Sequence, residues 1–95
     1  MSHPSALPML TFYLKDGCEL CVEAQRELQG VLEDRVKRGD PIARVRTVYI
    51  AGNPELEQRY GGLLPVISLN GQELKLAQGG WTINRFLDRV LGRLA

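Results

Sequence analysis

Residues 9–21 read Met9-Leu10-Thr11-Phe12-Tyr13-Leu14-Lys15-Asp16-Gly17-Cys18-Glu19-Leu20-Cys21. Residues 9–14 combine aliphatic, aromatic and β-branched side chains in one short run, which predicts a buried strand. Residues 15–17 end that run as a turn. From Cys18 onward the apolar residues recur at steps of three and four, which predicts a helix with one buried face. The two cysteines, Cys18 and Cys21, therefore stand on the first turn of a helix that follows a strand.

The first helix is predicted to end before Gly39-Asp40-Pro41, where Lys37-Arg38 complements the helix dipole. A second strand is predicted over residues 44–50. Asn53-Pro54-Glu55 then opens a short helix that ends at Tyr60. The buried face of the first helix is predicted to consist of Cys21, Ala24, Leu28, Val31, Leu32 and Val36.

The last third of the chain predicts a hairpin followed by a helix. Asn70-Gly71 is a strong hairpin signal and joins predicted strands over residues 65–69 and 73–76. Thr82 caps the last helix, and Trp81 before it is predicted to cover an edge of the core. The apolar positions of that helix follow the helical period: Ile83, Phe86, Leu87, Val90, Leu91 and Leu94.

The predicted order of elements is β-α-β-α-β-β-α, which indicates an α/β fold. A strand–helix–strand unit forms a right-handed crossover between parallel strands, and the hairpin adds antiparallel neighbours. The sequence therefore predicts a mixed four-stranded sheet with helices on both faces. Because 95 residues hold only one core, we expect a single domain at residues 9–95. Two prolines and two serines within residues 1–8 predict a loose N-terminal leader there.

The composition excludes several classes of function. Lys and Arg number 12 against 11 Asp and Glu, for a net charge of +1, which argues against a nucleic-acid binder. The longest apolar run, Leu63–Ile67, is far short of the ~20 residues that span a bilayer, so no membrane partner is expected. The N-terminus lacks a signal-peptide pattern, which predicts a cytoplasmic location. The basic residues around the first crossover are expected on a solvated face: Arg35, Lys37, Arg38, Arg44 and Arg46.

The spacing of the cysteines indicates thiol redox chemistry. The unpaired N–H groups at a helix start favour a thiolate, and in such motifs the thiol pKa falls from about 8.5 to roughly 3.5–7.5. Cys18 is therefore predicted to be the nucleophile, and Cys21, one turn further in, the resolving cysteine. Lys15 adds a positive charge and Glu19 opposes it, so the pKa of Cys18 is expected to fall only modestly.

Three other interpretations of the cysteines remain open. A structural zinc site needs four ligands, and the sequence offers only His3 besides the pair, so no metal is expected. Two helical cysteines can also pack together without chemistry. A permanent short disulfide is the third interpretation, although a reducing compartment opposes it. Pro65 adds little by itself, because a trans bond before proline is far commoner than a cis bond.

Taken together, these segments resemble the thioredoxin superfamily, and within it the glutaredoxin-like branch. The resemblance covers residues 9–94 and rests on three stretches: Leu10 to Cys21, Asn53 to Val66 with Leu64-Pro65, and Asn70-Gly71 followed by Gly79-Gly80. It implies a thioredoxin-like three-layer fold and a cis Leu64–Pro65 bond beside Cys18. It further implies that the Leu64 backbone pairs with an extended thiol substrate, and that Lys15, Gly79 and Gly80 contact a glutathione carboxylate.

The function predicted from the sequence is that of a thiol–disulfide oxidoreductase. It would exchange disulfides with a protein or with glutathione, using glutathione as a co-substrate or a reductase as electron donor, with no bound cofactor. The chain is expected to be a monomer. The alternative is a binding or adaptor module whose thiols do not turn over, which the acidic Glu19 beside Cys18 favours.

Overall fold

The structure is a computed structural model that describes residues 7–80 and 82–94. The expectations for His3, for Trp81 and for the first six residues of the leader lie outside the described residues. The elements are β1 (Met9–Leu14), α1 (Glu19–Arg38), β2 (Arg44–Tyr49), α2 (Pro54–Tyr60), β3 (Val66–Leu69), β4 (Gln72–Lys75), a 3-10 turn (Leu76–Gln78) and α3 (Ile83–Leu91). Their order confirms the predicted β-α-β-α-β-β-α sequence.

The four strands form one mixed sheet in the order β2-β1-β3-β4. β1 and β2 run parallel, β3 is antiparallel to β1, and β4 is antiparallel to β3. The parallel pair follows from the α1 crossover, because a helix between two strands returns the chain to the same end of the sheet. The predicted mixed four-stranded sheet is therefore confirmed.

The side chains of β1 alternate between the two faces of the sheet, and helices cover both faces. Leu10, Phe12 and Leu14 are buried on the face covered by α1 and α3, which contact each other. Tyr13 points to the opposite face, where its ring centroid lies 4.5 Å from that of Tyr60 in α2. The result is a three-layer α/β fold with the main core between the sheet and the α1–α3 pair.

The local signals set the end of α1, the starts of α2 and α3, and the hairpin turn where they were predicted. Gly39 closes α1 in the left-handed conformation (φ 78°), and its N–H donates to Val36 O and Arg35 O. Asn53 and Thr82 accept the capping hydrogen bonds of α2 and α3. The hairpin turn is the two-residue pair Asn70-Gly71, with φ of 50° and 79°, which suits the twist of the paired strands.

The predicted buried face of α1 was right for Cys21, Ala24 and Leu28 but wrong at Val36. Val36 is 60% exposed, whereas Arg35 is completely buried. Arg35 lies two helical turns after Leu28 and so continues the same buried row. Its Nε donates to Pro41 O at 2.6 Å, its Nη1 to Asp88 at 2.7 Å and its Nη2 to Gly92 O. A charge can be buried here because these three acceptors satisfy it.

Two further expectations need correction. The solvated basic face does not include Arg35, although the other four residues assigned to it are exposed. Leu94 does not belong to α3, because the helix ends at Leu91 and Gly92 carries the chain away at φ 82°. The Leu94 side chain is 74% exposed, and its N–H donates to Asp40 at 3.0 Å.

None of the helices within residues 7–80 and 82–94 combines the length and the apolar character that a membrane crossing requires.

Candidate redox site

Cys18 occupies the N-cap of α1. Its backbone is extended (φ −103°, ψ 103°), and its Sγ accepts a hydrogen bond from the Cys21 N–H at 3.1 Å. The first N–H groups of a helix lack partners within the helix, so a side-chain acceptor at the N-cap satisfies one of them. The turn Lys15-Asp16-Gly17 brings the chain from β1 to this position, with Gly17 at φ 75°.

Cys18 and Cys21 are joined by a disulfide that spans the first turn of α1, with their Cα atoms 5.2 Å apart. The two residues differ in exposure. Cys21 is 1% exposed and belongs to the core, whereas Cys18 is partly exposed and packs against the edge of that core. An attacking thiol from solvent therefore reaches the sulfur of Cys18 and not that of Cys21.

The surface around Cys18 carries opposing charges and apolar side chains. Lys15, Asp16 and Glu19 are all exposed, so two acids and one base flank Cys18 in the sequence. Leu20 and Val22 are 43% and 50% exposed. Neither of these two apolar residues was predicted to lie at the site. Their positions outside the three- and four-residue steps of the buried face were the signal that could have identified them.

The segment Leu64-Pro65 comes to the same end of β1 as Cys18. Tyr13 pairs with Val66 in the antiparallel register, so Pro65 lies beside the end of β1. The Leu64–Pro65 peptide bond is cis. Both residues are buried, and Pro65 O accepts from the Leu76 N–H at 3.1 Å. The Leu64 N–H and C=O make no backbone hydrogen bond with any residue in the described part of the chain.

Gly79 and Gly80 lie between the 3-10 turn and the start of α3. Both are exposed and have positive φ angles of 72° and 91°, a conformation that only glycine adopts at low cost. The Gly79 N–H donates to Leu76 O at 3.1 Å. Within the described residues, no hydrogen bond joins either glycine to Lys15 or Cys18. The structure thus brings the Cys18–Cys21 pair and the Pro65 segment to the same end of β1, whereas among the described residues no hydrogen bond connects the two glycines with Lys15.

A second polar arrangement lies on the α2 face of the sheet. Tyr60 is 2% exposed, and its hydroxyl hydrogen-bonds to Glu73 of β4. Burial, together with the hydrogen bond to Glu73, raises the pKa of Tyr60 to about 12. Tyr13 and Tyr60 were predicted to be packing residues, and their rings do pack. The partner Glu73 was not predicted, because the position of α2 over β4 is set by tertiary packing.

A cysteine pair at the start of the first helix, on a mixed sheet of this topology, defines a thioredoxin-like protein with a candidate redox site. Residues 9–90 match the family described as Glutaredoxin-like domain (DUF836). The chain belongs to this family.

A solved structure supports the fold assignment. The X-ray structure of the Northeast Structural Genomics target protein XcR50 from X. campestris is similar to this chain with a TM-score of 0.62 and 25% sequence identity. The similarity covers 84% of this chain and 96% of that one. No curated protein matches the chain.

Proposed function

We propose that this protein is a thiol–disulfide oxidoreductase in which Cys18 attacks and Cys21 resolves. One observation carries the proposal: Cys18 is partly exposed, and its Sγ accepts the Cys21 N–H at 3.1 Å and is bonded to a buried cysteine. The same N–H and the N-terminal dipole of α1 would stabilise a thiolate in the reduced protein. Membership of the glutaredoxin-like family supports this chemistry.

The proposed reaction starts from the reduced pair. The Cys18 thiolate attacks one sulfur of a substrate disulfide, a new Cys18–substrate disulfide forms, and the other substrate sulfur leaves as a thiolate that takes up a proton. Cys21 then loses its proton and attacks the Sγ of Cys18, which releases the second substrate thiolate. The substrate gains two electrons, and the protein is left with the Cys18–Cys21 disulfide.

A thiol reductant must restore the reduced pair. Two molecules of glutathione can do so in turn: the first opens the bond at Cys18, and the second releases glutathione disulfide and a free Cys18 thiol. A dithiol reductase would act by the same two attacks. The partial exposure of Cys18 supports both routes, since each begins at its Sγ.

Substrate binding is proposed at the Pro65 side of the site. The Leu64 backbone, free of backbone hydrogen bonds to described residues, would pair with an extended segment of a protein disulfide or of glutathione. Lys15 would attract a glutathione carboxylate, and the N–H of Gly80 would offer a donor to the same group. No resident cofactor is needed, and a reducing cytoplasm would supply the thiols.

The test follows disulfide reduction by three variants with glutathione as reductant. Cys18→Ser should abolish turnover, and Cys21→Ser should accumulate a mixed disulfide at Cys18 that mass spectrometry detects. Gln25→Ser, at an exposed position of the same helix, is the control and should turn over normally. Equal activity in all of these proteins would refute the assignment.

The second candidate function is a binding module without turnover. The two exposed acids, Asp16 and Glu19, next to the Cys18 sulfur favour it, because negative charges oppose a thiolate. A Cys18 thiol that reacts with glutathione disulfide no faster than free cysteine would support this function over the first.

A further inference from the structure

β2 is an edge strand, and no strand within residues 7–80 and 82–94 pairs with its outer side. The N–H of Arg44 donates to Pro8 O at 2.9 Å and that of Ile50 to Leu14 O at 3.0 Å, so these residues face β1. Because the direction of backbone groups alternates along a strand, the N–H and C=O groups of Val45, Thr47 and Tyr49 point outward. Such a row of free groups is a template for a further strand.

Exposed apolar side chains accompany this free edge. Val36 of α1 is 60% exposed, and Val45 and Tyr49 of β2 are 42% and 54% exposed. We name these three residues the α1–β2 flank. Between the helix and the strand runs a groove of about 360 Å³, which is lined by Gln25, Leu28, Gln29, Leu32, Glu33, Val36 and Val45. Val36 and Val45 thus expose apolar surface in one groove, a feature typical of interaction sites.

The charges around β2 are arranged in two separate groups on the α2 face of the sheet. Arg44 and Arg46 occupy the first half of the strand, where they pair in register with Met9 and Thr11. Glu55 and Glu57 belong to the first turn of α2, which follows the end of the strand. Among the described residues, none of these four charged side chains forms a salt bridge.

We propose that β2 pairs antiparallel with β2 of a second copy of this chain, about a two-fold axis at Thr47. In this register Thr47 lies opposite Thr47 of the second copy, and Val45 lies opposite Tyr49. All three outward-facing residues of each strand then form ladder hydrogen bonds. The Tyr49 ring of each copy, on the same face as Val45, enters the groove of the other beside Val45.

The charges on β2 and α2 favour a second copy as the partner, and they favour this register. An antiparallel arrangement brings the arginine half of one β2 beside the end of the other, where the acids of α2 begin. Each copy therefore supplies both members of a complementary pair, as a two-fold interface requires. A register centred on Arg46 instead would place Arg46 opposite Arg46, and like charges directly opposite are unfavourable.

The pairing leaves the redox site open. Pro65 approaches the Cys18 end of β1 from β3, which lies on the side of β1 away from β2. The proposal is thus independent of the redox function. It differs from the monomer expected from the sequence, which contains no signal for the edge at which β2 lies.

Sedimentation velocity over a range from about 10 µM to about 1 mM tests the proposal, since this covers the affinities of weak dimers. The wild-type chain should sediment as a dimer at the upper concentrations. Val45→Glu puts a charge opposite Tyr49 and should raise the dissociation constant at least tenfold. Leu94→Glu makes the same change at another exposed apolar position and should leave the dissociation constant unchanged.

Thr47→Pro provides a second variant that acts on the backbone alone. It removes an outward N–H that has no role in the β1–β2 ladder, so the fold should persist by circular dichroism while the dimer dissociates. A wild-type chain that stays monomeric throughout would overturn the proposal and leave the flank to a different protein. A Val45→Glu dimer as tight as the wild type would overturn it as well.

Discussion

The guanidinium of Arg35 in α1 lies 2.7 Å from the carboxylate of Asp88 in α3, although 53 residues separate them along the chain. Arg35 is completely buried, and its remaining donors reach Pro41 O and Gly92 O. A single side chain thus connects the end of α1, the loop before β2 and the end of α3. These contacts lie at the opposite end of α1 from Cys18.

Asp88→Ala should destabilise the protein by about 3 kcal/mol, because it leaves a buried guanidinium without its anion. This value is at the low end of the losses that follow when a buried ion pair is broken, because the Asp88 side chain is 26% exposed. Urea unfolding of Asp88→Ala, Arg35→Met and the double variant measures the effect. The free energy of unfolding of the double variant should be about that of the less stable single variant. Simple addition of the two losses would contradict a coupled pair.

Stability should fall as the pH drops below about 4, in part through Asp40. The Leu94 N–H and the Arg38 side chain, which both bond to it, lower the pKa of Asp40. The carboxylate therefore stabilises the fold above its unfolded pKa, and this contribution is lost as the pH falls through the folded value. Asp40→Asn should be less stable than the wild type at pH 7, and the two unfolding curves should converge in acid. A constant difference at every pH would exclude this role.

Stability should also fall between pH 10 and 12, where Tyr60 remains protonated in the folded protein but ionises in the unfolded chain. The unfolded state then binds fewer protons, so each pH unit costs up to about 1.4 kcal/mol. Tyr60→Phe should remove this part of the loss of stability at alkaline pH. It should also remove the tyrosinate absorbance transition near pH 12. Tyr49→Phe, at an exposed tyrosine, is the control and should retain both.

Glu19→Gln should make Cys18 more reactive. The exposed carboxylate is adjacent to the thiol in sequence and opposes its ionisation, so its removal should speed alkylation of reduced Cys18 at neutral pH by about threefold. The rate with iodoacetamide, followed by mass spectrometry, gives the comparison. Glu23→Gln, one turn further along α1 and also exposed, should change the rate little. An equal increase of the alkylation rate in both variants would show that the increase comes from the net charge of the protein and not from the position of Glu19.

The features predicted well are those that neighbouring residues determine. The Asn70-Gly71 turn adopts positive φ because these residues tolerate it, and Cys18 caps α1 because the strand, turn and helix follow directly in sequence. The parallel pairing of β1 and β2 then follows from the connection rules. For this reason, the fold and the place of the cysteine pair could be predicted without coordinates.

The features predicted poorly depend on distant partners. Arg35 is buried and Val36 exposed because Pro41 O, Asp88 and Gly92 O converge on one position of α1, which hydropathy does not reveal. The hydrogen bond between Tyr60 and Glu73 requires knowledge of how α2 lies over β4. The roles of Lys15, Leu64, Gly79 and Gly80 in substrate binding stay predictions.

The disulfide between Cys18 and Cys21 encloses a ring of only three residue steps. Closing so small a ring removes little freedom from the unfolded chain. Loop closure therefore contributes less to stability here than a bridge between distant segments would, and thermal denaturation reports the oxidation state of this chain only indirectly. Direct titration of the sulfhydryl groups measures the oxidation state of the cysteine pair.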